Sequence, residues 1–147
     1  MGSAGVDVRL PSGWHFYRDG TAPRSMPYAD PLVRIVVASA NIRAYPHGCK
    51  AETFRFTRTG VGLMIVEWMH PQPGAAWAPK PSRFTVRTLP LQGQHAIECW
   101  PGQGGSTQFV FRGRHFGVYL LLARDAAPAA ASKARAVLNT LRVKRQS

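Results

Sequence analysis

The sequence is short of acid. Seven Asp and Glu stand against 19 Lys and Arg in 147 residues, a net charge of +12. Such a field disfavours cationic ligands and draws polyanions such as nucleic acid, anionic lipid or acidic glycan. Fifteen of the 19 cations are arginine. They keep company with many Ala, Gly and Pro, all residues of GC-rich codons, so base composition alone can supply much of the excess. The arginines are scattered (Arg9, Arg18, Arg24, Arg34, Arg43 and onward) rather than run together, and a solvated basic surface is the first reading of them. Cysteine is nearly absent, with only Cys49 and Cys99. A chain of this length buries about two-thirds of its unfolded surface and needs no bridge or metal to fold. No apolar run approaches the ~20 residues of a membrane-spanning helix. The opening MGSAGVDVRLPSG lacks the charged and apolar regions of a secretory signal. A cytoplasmic protein is therefore the default expectation, with the mature part of an exported precursor as the alternative.

What is there is patterned for a sheet and one helix. Val6, Val8 and Leu10 alternate with Asp7 and Arg9, which predicts a half-buried strand before a turn at 11–13, with Trp14 as a core anchor. Residues 18–31 read as a loop. Residues 32–40 are apolar and β-branched enough for a central strand. Over 61–69 Val61, Leu63 and Ile65 share a face with Glu67, while Met64, Val66 and Trp68 take the other. The prolines at 71–83 forbid a helix or central strand. An edge strand is expected at 84–89 and another strand at 94–100. Residues 107–112 and 115–123 form a hairpin around a Gly113-Arg114 tip, with Phe116, Val118, Leu120 and Leu122 on one face. Asp125 is placed to cap a helix with Pro128 in its first turn. Ala134, Val137, Leu138 and Leu141 recur at helical spacing, which leaves Lys133, Arg135, Asn139 and Arg142 to face water.

Two stretches carry a resemblance. The run V-x-L-P-S-G-W from Val8 to Trp14 looks like the start of PsbP-like domains: a strand, a Pro-Gly turn and a Trp. The ending, STQFVFRGRHFGVYLLLA followed by A-x-x-V-L-N-T-L-R-V, resembles the last hairpin and helix of small sheet-plus-helix proteins of high-GC bacteria. The similarity implies an antiparallel sheet crossed by a helix, and accessory or binding roles rather than catalysis. No residue role carries over from it.

Reaction signatures are missing. There is no G-x-S-x-G and no cysteine in a nucleophile motif. Glu67 and Glu98 suggest a carboxylate pair, although ion pairing to arginine is the simpler account. His47, Cys49, His95 and Cys99 could close a tetrahedral zinc site, but the usual spacings are absent. A Cys49–Cys99 disulfide would stabilise by about 4 kcal/mol in an oxidising compartment. Two separate reduced thiols remain the favoured reading. Gly102 to Ser106 superficially matches a phosphate cradle, yet a strand follows rather than a helix N-terminus, so these residues read as a hairpin connection. Arg112 to Tyr119 half-matches an RNA-recognition strand, but Phe116 and Tyr119 would point to opposite faces. Trp77, in a Pro-rich loop, is the tryptophan best placed to meet a ligand.

The sequence thus predicts one α+β domain over 1–147. Its sheet is antiparallel and twisted, of five to seven strands, with a C-terminal helix at about 128–142 packed on one face. Residues 1–5 are expected to be disordered and 143–147 to form a basic tail. The expected function is a non-catalytic accessory or protein-binding module without cofactor, using the sheet face the helix leaves open or the Trp77 loop. The alternative is a polyanion or nucleic-acid binder working through Arg112, Arg114, Arg142, Lys144 and Arg145. A zinc-binding or small metal-dependent protein is the third.

Overall fold

The computed structural model describes residues 2–3, 5–19, 31–39, 57–68, 76–97 and 100–145. Nine strands and one helix lie within them: β1 (Gly2–Ser3), β2 (Val6–Asp7), β3 (His15–Asp19), β4 (Pro31–Ala38), β5 (Val61–Trp68), β6 (Gly93–Gln94), β7 (Gln103–Phe111), β8 (Arg114–Leu122), α1 (Pro128–Leu138) and β9 (Arg142–Val143). Six of the strands form one antiparallel sheet in the order β3-β4-β5-β8-β7-β6. A second, small sheet runs β1-β2-β9. The chain is α+β, as the alternation and the single helical repeat predict.

The sheet has one dry face because period-two alternation is kept in register across its central strands. Leu63 pairs with Leu120 and Ile65 with Val118; Phe109 pairs with Phe116 and Thr107 with Val118. The inward side chains Val61, Leu63, Ile65, Val118, Leu120 and Leu122 are buried in one cluster with Ala130, Ala131, Ala134, Val137 and Leu138 of α1. Fully burying each of the larger ones removes apolar surface from water and stabilises by about 1.5–3 kcal/mol. At one end of this face the rings of Phe84, Phe109 and Phe116 stack in sequence, with centroids 5.4 and 5.7 Å apart. Trp14 packs on the core's margin, as its anchoring role predicts.

Several elements depart from expectation, and in each case tertiary pairing overrides local pattern. The helix ends at Leu138 instead of near 142. The Asn139 side chain turns to the Phe84 backbone, accepting from its N–H at 2.7 Å and donating to its carbonyl at 3.2 Å. The chain then leaves to pair as β9 with β2, Val143 against Val6 and Arg142 against Asp7. The expected basic tail therefore begins as a strand with Val143 buried, and the expected disordered start contributes β1. Ala127, not Asp125, occupies the N-cap and makes no side-chain cap bond; Asp125 lies beside Arg58 instead. Arg135 does not face water. It is 7% exposed, and its Nε donates to the Leu89 carbonyl at 2.9 Å.

Residues 84–89 are a turn rather than an edge strand, held by Thr85 and Thr88. Of the strand expected at 94–100, the described residues show only β6, Gly93–Gln94, with 98 and 99 outside the description. Arg18 and Asp19 belong to β3 rather than to a loop. Gly102 to Ser106 is neither cradle nor connection, since β7 already starts at Gln103. Its glycines let other chain lie on the strand: a Cβ on Gly105 would stand 2.1 Å from the Pro90 carbonyl oxygen, and one on Gly104 2.6 Å from Ile97.

Candidate functional site

The β7–β8 hairpin turns one residue earlier than its sequence suggests. Its last pair is Phe111 with Arg114, so the tip is Arg112-Gly113. Both tip residues have positive φ, 52° and 76°, the pattern of the two-residue turn that matches strand twist. Glycine meets this demand without a Cβ penalty; Arg112 does not, and its guanidinium lies over the Phe111 ring, 5.7 Å from the centroid.

The earlier turn decides the fate of Arg114. Expected as a ligand contact at the tip, it instead begins β8 and joins the inward row of Phe116, Val118, Leu120 and Leu122. It is 4% exposed and Glu67 3%. Nε and Nη2 of Arg114 each reach a different Glu67 oxygen at 2.6 Å. Nη1 donates to the Lys144 carbonyl at 3.1 Å, and the guanidinium sits 5.8 Å from the centre of the Phe116 ring. A forked pair with the third guanidinium nitrogen also engaged is the arrangement that offsets desolvation of two buried charges. Glu67 is thus ion-paired, as the wealth of arginine predicts, and Arg114 is structural.

Around this buried pair the fold gathers cations that the sequence scatters. The Arg114 bond to Lys144 ties the start of β8 to the end of β9, and Lys144 N donates to the Gly5 carbonyl at 2.8 Å. Alternation along β9 buries Val143 and leaves Arg142 and Lys144 exposed, followed by exposed Arg145. Arg142 lies opposite Asp7 in register. Arg9, two residues on, is held by its backbone to Thr140 at the end of α1. On the other side of the tip Lys80 Nζ stands 5.3 Å from the Phe111 ring centre and 5.2 Å from that of Phe84, and burial lowers its pKa. Backbone pairing thus ties Arg9, Arg142, Lys144 and Arg145 to the hairpin tip, where Lys80 and Arg112 share the Phe111 ring, and these residues are called the basic band. The salt bridges among the described residues are Arg58–Asp125 and Arg114–Glu67, so no cation of the band is in a described salt bridge, and Asp7, opposite Arg142, is the one described carboxylate paired in register with it. Arg9 and Lys80 are the members that sequence reasoning missed, because their proximity depends on the β2–β9 pairing and on the 76–80 segment.

That segment runs beside β7. Val110 N donates to the Ala78 carbonyl and Lys80 N to the Val110 carbonyl, both at 2.8 Å, and Pro79 bridges Val110 in parallel. Trp77 is thereby set edge-on to His115, 5.0 Å between ring centres. Its Nε1 is buried without a hydrogen-bond partner. Trp77 thus covers the edge of the sheet and keeps one unused donor. Trp100 is buried, and its Nε1 donates to the Gln103 and Leu122 carbonyls, both at 3.1 Å.

Of the proposed metal ligands, His47, Cys49 and Cys99 lie outside the described residues, as does Glu98; His95 is exposed at the end of β6 with φ of 58°. No group of three metal-ligating side chains occurs among the described residues, and no helix among them is long and apolar enough to cross a membrane. Comparison with known proteins adds no relative: no family model matches the chain, and neither does any curated protein or solved structure.

Proposed function

We propose that the chain is a non-catalytic binding module that holds polyanions, nucleic acid foremost, on the basic band. One observation carries this reading. Arg112 at the hairpin tip and Arg142, Lys144 and Arg145 on the segment tied to it by the Arg114–Lys144 bond are exposed cations in no described salt bridge, while the arginines that serve structure, Arg114 and Arg135, are held inside. The likeness to PsbP-like domains supports a binding role over catalysis.

The test is anisotropy of labelled single- and double-stranded oligonucleotides, with heparin as competitor, at low and physiological salt. Affinity is expected to fall linearly on a log–log plot against salt, by about 0.9 per phosphate neutralised on duplex. It should fall again in R112E/K144E. Oligonucleotide affinity in that variant equal to the parent's would overturn the proposal. A second reading, a protein-binding module, uses the half-buried Trp77 ring beside His115. A stoichiometric partner lost in Trp77→Ala would support it.

A further inference from the structure

We infer that the groove between α1 and the segment after β2 is a binding site for an amphiphilic anion, an apolar acyl chain that ends in a carboxylate. Lys133, Ala136, Val137 and Thr140 line one wall, spaced so that they share a face of α1 and the turn that follows it; Leu10, Pro11 and Trp14 line the other. The groove is open to solvent and offers about 500 Å³, within the roughly 300–1,000 Å³ of small-molecule sites. Its floor is core: Val137 is buried, and Leu10 and Trp14 pack against the hydrophobic cluster. The Thr140 hydroxyl oxygen accepts from Arg9 N at 2.7 Å and the hydroxyl donates to the Val137 carbonyl at 2.6 Å. That pins one wall to the other, so the groove exists before any ligand arrives.

The choice of ligand follows from what lines the site. Leu10, Pro11, Ala136 and Val137 offer little hydrogen-bonding capacity: Pro11 has no N–H and its carbonyl accepts from Trp14 N, Ala136 and Val137 lie within the helix, and the Thr140 hydroxyl is engaged with Arg9 N and the Val137 carbonyl. A sugar or base there would lose bonds to water without replacement. The polar groups at its rim are cationic, the exposed Arg9 and Lys133, and no acidic side chain appears in the lining. An apolar body with one anionic head satisfies both features. The site shares Arg9 with the basic band but includes neither Arg112 nor Lys144, so R112E/K144E tests the two apart.

Dodecanoate, kept below its micellar concentration, is the probe, read by titration calorimetry and by quenching of tryptophan fluorescence with a brominated analogue. One equivalent should bind and quench. Dodecyltrimethylammonium, with the same chain and the opposite charge, should bind at least about tenfold more weakly, as the cationic rim requires. Ala136→Trp fills the groove from an exposed helix position and should weaken dodecanoate by about tenfold or more. Lys133→Glu should weaken it several-fold and improve binding of the cationic amphiphile. R112E/K144E should leave dodecanoate affinity unchanged while it weakens oligonucleotides. Equal binding of both amphiphiles to the parent protein, or unchanged dodecanoate affinity in a folded Ala136→Trp, would overturn the inference. If Ala136→Trp does not fold, Lys133→Glu decides by the same criterion.

Discussion

The helix-covered face of the sheet and the basic band along its border use arginine to opposite ends. Under the helix, Arg114 is surrounded: two bonds to Glu67, one to the Lys144 carbonyl and a ring beside it. Along the band, Arg112 and Arg142 keep their charge in water with no described carboxylate within salt-bridge reach. Residues of identical chemistry, two positions apart at the hairpin tip, end up as internal strut and external charge. The difference teaches that an arginine's role here is set by where the hairpin turns and by the nearest carboxylate, not by local sequence.

The sharpest way to break the contrast is to make the interior arginine resemble the exterior ones. Glu67→Gln leaves a buried guanidinium uncompensated and should cost about 3–5 kcal/mol in urea unfolding. The double replacement Glu67→Leu with Arg114→Met removes both charges and should recover most of that loss, because a well-packed apolar pair often matches a buried ion pair. Gly105→Ala probes the same sheet without charge. Its Cβ would meet the Pro90 carbonyl oxygen at 2.1 Å, and the displaced backbone should cost about 1–3 kcal/mol. Asn139→Ala removes two bonds to the Phe84 backbone and should cost about 1–2 kcal/mol by the same unfolding measurement. At the far end, R112E/K144E should move stability by no more than about 0.5 kcal/mol. The same variant should reduce the slope of log affinity for duplex DNA against log salt by about two, if each cation neutralises one phosphate. A pattern in which the band variant unfolds the protein and Glu67→Gln does not would invert the comparison.

Much of the fold is legible residue by residue. The alternation of Val61, Leu63 and Ile65 with Met64 and Val66, and of Phe116 to Leu122, identifies the two central strands and their inward faces, since burial on one side of a pleat imposes period two. The same alternation carried back from Phe116 by two residues reaches Arg114, and Glu67 already stands in the inward row of β5. The buried ion pair was therefore half visible, and the assignment of Gly113-Arg114 as the tip hid the other half. The ends of elements were less legible. Residues 139–143 carry a helical pattern through Leu141, but strand pairing of Val143 with Val6 and the Asn139 bonds to Phe84 win over it, and both partners are remote in sequence. Glycine at 104 and 105 reads locally as a loop; its cause is the chain at 90–97 lying across the strand.

The sequence by itself determined the α+β class, the two central strands, the apolar face of the helix and the sign of the surface charge. Each is a sum over local periodicity or composition, and neither needs a distant partner to be read. Tertiary structure alone decided which cations are structural and which are available. It joined Arg9, Arg112 and Lys144 along one border, buried Arg114 and Arg135, and opened a groove between Trp14 and α1. Those outcomes depend on strand register and on contacts as remote in sequence as Lys144 with Gly5, and such contacts leave no periodic trace in the chain.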